Sequence, residues 1–347
     1  MKNLNYLFYS IILFAFSSCF MDASSDSDFG DKVVNIYTDR HYPLDDTLYA
    51  NFEKEFGIKV NVVKGNSEDL LSRIAKEGKD TKADLLITAD VGRLVQAKQA
   101  GFFQAIDSFD ELKDVDNHLF DEEGYWFGLT KRARVIVYAK DRVSINDLST
   151  YEDLTHSKWE GKIAIRSKNN VYNQSLLASI IAANGEEKAL EWVKGIVNNF
   201  YQSPSGNDRD QVKAIYMGKA DLAIVNTYYI GKMLTSDDVE EQNAAQSIGL
   251  FYPNQSDRGA HINVSGAGVL SSAKNTENAV RLIQFLLRPS VQQQFAELNF
   301  EFPVHKNVSS SELVSAWGTF KEDQIALSKI GELNTLAIKL FDKGGWK

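Results

Sequence analysis

Apolar positions along this chain fall into short runs that alternate between strand and helix periods, and this alternation points to the fold class. Val33-Val34-Asn35-Ile36-Tyr37 reads as a strand, Leu48 through Phe56 as a helix stopped at Gly57, and Ile58-Lys59-Val60-Asn61-Val62-Val63 as a second strand. Leu70 to Glu77 adds a helix ended by Gly78, and Ala83-Asp84-Leu85-Leu86-Ile87-Thr88 a buried strand. After a connecting strand at Ala133-Arg134-Val135-Ile136-Val137-Tyr138, the pattern repeats. Gly161 to Arg166 is a strand, Gln174 to Ala183, Glu187 to Phe200 and Asp208 to Met217 are helices, and Ala220 to Val225 is a short apolar strand ending at Asn226-Thr227-Tyr228-Tyr229. Ile262 to Leu270 is a glycine-bearing strand that returns the chain to the first half, and Asn275 to Leu287 and Ser290 to Leu298 close the pattern as helices. Repeated strand–helix units of this kind predict α/β lobes in which helices cover a mostly parallel sheet.

A chain of 347 residues exceeds the size at which one core usually divides, so two lobes are expected. Two crossings, near Ala133–Tyr138 and near Val264–Val269, would form a hinge between them. The net charge of -9 opposes a general nucleic-acid or anionic-membrane surface. The start of the chain has the layout of an export signal: Lys2, then the apolar run Leu7 to Phe16, then Ser17-Ser18-Cys19. That run is shorter than the roughly 20 residues a membrane span needs. Cys19 is the only cysteine, so no internal disulfide can form, and Asp22 to Asp31 is a polar tether without apolar period.

Candidate chemistry centres on tyrosine. Of the 14 tyrosines, Tyr42, Tyr172 and the adjacent Tyr228 and Tyr229 lie in polar contexts near predicted strand ends, where α/β folds place ligands. A phenol ordinarily titrates near 10, but a highly charged cation favours the phenolate, which couples metal binding to loss of the proton. Hard ferric ion suits anionic oxygen donors, and His41 can add an imidazole nitrogen. Loop tyrosines more often pack their rings and leave the hydroxyl at the surface. Neighbours such as Tyr228 and Tyr229 face opposite ways on an extended strand, so both reach one ion only from an irregular loop. The five histidines show no zinc spacing, no phosphate loop occurs, and Ser265-Gly266-Ala267-Gly268 lacks the glycine two residues before the serine that a nucleophile elbow requires.

The ordered text of the chain resembles the periplasmic ferric-iron-binding proteins of bacterial ABC transporters, in particular the tyrosine-rich cyanobacterial and Gram-negative subgroup. The resemblance rests on Asn35 to Tyr42, Trp126 to Ile136, Ile165-Arg166-Ser167, Val171 to Ser179 and Asn226-Thr227-Tyr228-Tyr229. It extends through Phe251 to Gln255, Asn263 to Gly268 and Gly345-Trp346-Lys347. Phe16-Ser17-Ser18-Cys19 likewise resembles a lipobox, which implies cleavage before Cys19 and lipid attachment to it.

What the resemblance implies is specific. The fold would be that of a class II periplasmic binding protein, with two α/β lobes on a two-crossing hinge that closes around Fe(III). His41 and Tyr42 from the first lobe, and Tyr172, Tyr228 and Tyr229 from the second, would be the ligands. Asp39, Arg40, Arg93, Arg132, Arg134 and Arg166 would surround them: Asp39 either as a partner of Arg40 or His41 or as a solvated loop charge, and the arginines either, in some cases, as holders of a small synergistic anion such as carbonate or as anchors of the surrounding carboxylates and connectors of the lobes. Residues 1–18 would be a signal peptide, 19–31 a lipidated tether, 32–133 with 270–347 the first lobe, and 134–269 the second. The product would be a non-enzymatic, monomeric periplasmic lipoprotein that delivers iron to an inner-membrane permease with its own ATPase subunit. The competing readings are a receptor for an oxyanion or a ferric chelate, and an interaction lipoprotein without cargo.

Overall fold

The computed structural model describes residues 32–347; the expected signal peptide, tether and Cys19 lie outside the described residues. The chain opens with β1 (Val33–Thr38), α1 (Pro43–Phe56), β2 (Lys59–Lys64), α2 (Ser67–Glu77), β3 (Leu85–Thr88) and α3 (Val91–Gln99), and then runs into the long strand β4 (Phe127–Ala139). There follow β5 (Ile163–Ala164), α4 (Val171–Asn184), α5 (Glu186–Asn198), α6 (Asp208–Tyr216), β6 (Leu222–Asn226), α7 (Thr227–Leu234), α8 (Val239–Ser247) and β7 (Ile248–Phe251). The remainder comprises β8 (Ile262–Val269), α9 (Thr276–Leu287), α10 (Pro289–Asn299), β9 (Phe302–Pro303), α11 (Glu312–Ser315), α12 (Leu327–Glu332) and α13 (Asn334–Gly344).

The strands form two lobes on a continuous path β2-β1-β3-β8-β4-β6-β5, with β7 and β9 also paired to β4. β1 runs parallel to β2 and β3, and β5 parallel to β6, as the strand–helix repeats predict. The strands joining the lobes run antiparallel, because a strand that returns beside a departing one needs no crossover helix. β4 itself changes lobe at Ala133/Arg134: its first half pairs with β8, and its second half with β6 and β7. Arg132 and Arg134 therefore project from the strand that joins the lobes.

Two boundaries differ from the sequence-based division. β8 pairs with β3 and with the first half of β4, so Ile262–Val269 belong to the first-lobe sheet and the second crossing lies before them, at residues 252–261. The last helix, α13, packs on α4 and α5 of the second lobe, although 270–347 is expected in the first. The cause is aromatic. Trp346 is buried against Trp192, Phe200 and Phe341, and its indole Nε1 donates to the Arg166 carbonyl at 3.0 Å. The Lys168 N–H donates to the Lys347 carbonyl at 2.9 Å. Helix α12 bridges the lobes on the way, lying against both α3 and α4. It approaches α3 closely enough that a Cβ on Gly331 would stand 2.3 Å from Val95 Cβ.

Candidate functional site

Four tyrosines meet where three helices begin. Tyr42 is the N-cap of α1, in extended conformation with Pro43 opening the helix. Tyr172 is the second residue of α4, whose N-cap Asn170 accepts a hydrogen bond from the Asn173 N–H. Tyr228 and Tyr229 are the second and third residues of α7, which starts directly after β6 without an intervening loop. Each helix directs its unsatisfied N–H groups and the positive end of its dipole toward the cluster, an environment that favours anionic oxygen.

The helical start at Thr227 corrects the expectation that Tyr228 and Tyr229 could converge only from an irregular loop. In the first turn of α7 their rings lie 4.3 Å apart between centroids, tilted by 31°. The Tyr172 and Tyr228 hydroxyls are 3.2 Å apart, and the Tyr42 ring meets that of Tyr228 edge-on at 5.9 Å. Tyr42 comes from the first lobe and the other three from the second, so the lobes touch through the cluster. His41 is exposed and lines two clefts, one shared with Tyr172 and one with Tyr42 and Tyr229. Among the described residues, no group of three or more His, Cys, Asp or Glu is placed to hold a metal.

Burial favours the protonated form of Tyr42, Tyr172 and Tyr228. Tyr42 and Tyr228 are pushed well above the ordinary phenol value by desolvation and then by neighbouring tyrosines. Tyr172 is pushed up by desolvation and Tyr229, against the lowering influence of Arg132. Such a site remains neutral until a cation supplies enough charge to displace the protons.

The positive charges around the cluster are themselves built in. The guanidinium of Arg132 lies 5.0 Å from the Tyr172 ring centroid, that of Arg166 5.7 Å and that of Arg134 5.9 Å. Arg132 pairs with Asp90 at 3.0 Å, while Arg134 (2.6 Å) and Arg166 share the buried Asp208. Burial opposes ionisation of Asp208, yet the two arginines hold its carboxyl below the usual range. Three guanidiniums against two carboxylates leave one positive charge in surplus beside Tyr172. Arg132 Nε and Nη1 and the side-chain amides of Asn226 and Asn263 are buried without hydrogen-bond partners around a small chamber next to that ring.

On the other side, Arg40 lies 4.8 Å from the Tyr42 ring centroid and is held by Asp45 at 3.0 Å and Glu301 at 3.1 Å. Thr130 Oγ1 adds a hydrogen bond to Glu301 at 2.8 Å. Asp39 does not pair with Arg40: its carboxylate turns away to accept the Ala89 N–H at 2.6 Å. Arg93 is buried and tied to Glu68 at 2.8 Å and, more weakly, to Gln174 of the second lobe at 3.5 Å, so it acts between the lobes more than at the tyrosines. Three contributors escape the sequence reading: Asp208, Glu301 and Lys232. Lys232 lies four residues after Tyr228, and helical spacing would have put it on the same face had α7 been recognised. Its Nζ stands 3.5 Å from the Tyr42 ring centroid, and burial pulls its ammonium down to about 8 despite the nearby Glu301.

Comparison with known proteins agrees with this architecture. Residues 47–322 match the family model described as bacterial extracellular solute-binding protein. Iron uptake protein A1 of Synechocystis sp. is 46% identical over 314 residues, covering 90% of this chain and 87% of that protein. A Trichodesmium protein solved in complex with iron and citrate ligands superposes with a TM-score of 0.86 at 44% identity, covering 91% of this chain and all (100%) of that one. The ferric binding protein from Campylobacter jejuni gives a TM-score of 0.88 at 39% identity, with 90% and 100% covered. Matched in sequence over most of its length and in fold over both lobes, the chain belongs to the bacterial extracellular solute-binding protein family.

Proposed function

We propose that this protein captures Fe(III) between its lobes through the phenolates of Tyr42, Tyr172, Tyr228 and Tyr229, with His41 swinging in from the rim. It then delivers the ion to an inner-membrane ABC permease driven by a separate ATPase. The observation that carries this reading is the convergence of four tyrosines from both lobes on three helix N-termini, inside a shell with surplus positive charge. Relatives named for iron uptake and ferric binding, at 39% to 46% identity, support the cargo. Membership of the extracellular solute-binding protein family makes the role that of a transport carrier and not an enzyme. Lipid attachment at Cys19 would keep the carrier at the envelope membrane, facing the periplasm.

A second reading, in which a small anion such as carbonate accompanies the iron, is favoured by the unpartnered N–H groups of Arg132 beside Tyr172. Aerobic titration with Fe(III) and anaerobic titration with Fe(II), each with and without bicarbonate and read by metal analysis, tests both. One Fe(III) per chain is expected. Binding of Fe(II) alone would overturn the oxidation state. Failure of a folded preparation to bind either would overturn the function, and an oxyanion bound without iron would select the competing receptor.

A further inference from the structure

The seam on which the lobes meet beside Tyr42 contains a backbone irregularity and an unpaired cation that the ligand set does not require. Phe300, the residue after α10 in the first lobe, has φ +57°, a left-handed conformation that bulky side chains avoid at a cost of about 1–2 kcal/mol. Its ring fills the space left by Gly231 on α7 of the second lobe: a Cβ there would stand 2.4 Å from Phe300 Cγ. The lobes can thus approach only because one residue lacks a side chain and the other accepts strain.

The next residue on α7 is Lys232. Its Nζ reaches across the boundary to within 3.5 Å of the Tyr42 ring centroid and lies 5.6 Å from that of Tyr228. Among the described residues it has no carboxylate within ion-pair distance, and Glu301 and Asp45 are both engaged by Arg40. The Tyr42 ring therefore has two cations close to it, Arg40 of its own lobe and Lys232 of the other.

We infer that Lys232, seated by the Phe300–Gly231 contact, is a positioning residue that latches the two lobes together and does so more strongly once the metal is bound. The inference rests on the ligand set proposed above. With a neutral phenol, an ammonium over the ring contributes about 0.5–2 kcal/mol. When the tyrosines coordinate Fe(III), four phenolates against three positive charges leave the first shell with one net negative charge, and Lys232 is the cation from the opposite lobe that faces it. In a poorly solvated seam this electrostatic gain is larger than in water. Linkage makes the effect reciprocal: the factor by which bound iron strengthens the Lys232 contact is the factor by which that contact strengthens iron binding. The residue acts chiefly on release, since holding the lobes shut blocks the exit of the ion.

The test is the rate of iron loss from the ferric-loaded protein into excess desferrioxamine, followed through its visible phenolate-to-iron absorption. It compares wild type with Lys232→Met, Lys232→Arg and Gly231→Ala, with far-UV circular dichroism to verify folding. Lys232→Met is expected to retain one iron and the visible band yet release about tenfold faster, equivalent to about 1.4 kcal/mol. Lys232→Arg should restore slow release, and Gly231→Ala, which blocks the Phe300 seat, should accelerate it with Lys232 present. Release from Lys232→Met within about twofold of wild type, or equal acceleration by the arginine variant, would overturn the latch while leaving the iron site intact. A folded wild type with no visible band would overturn the proposed site, and the latch with it.

Discussion

Replacing Trp346 with alanine should destabilise the protein and loosen the site, although the residue lies far along the chain from every tyrosine of the cluster. The indole is 1% exposed and packs on Trp192, Phe200 and Phe341 at centroid distances of 6.0, 4.9 and 4.7 Å. Truncating a buried Trp to Ala costs about 3–5 kcal/mol, through lost burial and the cavity left behind. The Nε1–H bond to the Arg166 carbonyl contributes about 1 kcal/mol more. Against a typical total of about 5–15 kcal/mol this is a large fraction. Trp346→Phe, which keeps an aromatic ring and removes the donor, should cost about 1–2 kcal/mol. The carbonyl belongs to Arg166, at the start of the turn that leads into α4 and Tyr172, so both variants should also release iron faster, alanine more so. Urea unfolding of the metal-free protein, followed by far-UV circular dichroism, gives the stabilities. An alanine variant within about 1 kcal/mol of wild type would refute the packing reasoning. Equal losses for phenylalanine and alanine would transfer the effect to the hydrogen bond.

Other consequences can be checked in parallel. Asp208→Asn leaves Arg134 and Arg166 buried without their carboxylate and should cost about 3–5 kcal/mol, measured by the same unfolding experiment. Asp208 and Glu301 are both held below their ordinary values, so their contribution to stability is complete above the usual carboxylate pKa near 4 and disappears as pH falls through the depressed folded values. An acid unfolding curve of Asp208→Asn should therefore lack part of the wild-type loss below about pH 4. Because burial keeps Tyr42, Tyr172 and Tyr228 protonated, loading should release a proton from each, and affinity should rise with pH through neutrality. Titrated proton release on Fe(III) loading should be smaller by one in Tyr172→Phe, and an unchanged count would exclude that phenol as a donor.

The sequence already contained the alternation of strand and helix, the two lobes and the identity of the tyrosines; their placement was less legible, for local reasons. Asn226 ends β6 and caps α7 at once, and an eight-residue helix offers too few apolar positions to announce its period, so Tyr228 and Tyr229 looked like loop residues. Val171-Tyr172-Asn173 likewise precedes the apolar run from which α4 is recognised. Asp208 and Glu301 read as solvated charges because nothing local tells that Arg134, Arg166 and Arg40 will be brought onto them from distant segments. The apolar face of α13 is visible in sequence, but a period shows that a face is buried, not which lobe buries it. Resemblance to a family supplied the ligand candidates, whereas the convergence of three helix starts and the cross-lobe contact of Lys232 emerge only from the folded chain.

The central claim is that phenolates from both lobes hold the cargo, and resonance Raman spectroscopy of the Fe(III)-loaded protein, excited within its visible band, addresses it directly. Tyrosinate modes enhanced in the wild type, weakened in Tyr42→Phe from the first lobe and in Tyr228→Phe from the second, are the predicted result. Stoichiometric Fe(III) binding with no tyrosinate modes, or with modes unchanged in both variants, would contradict it.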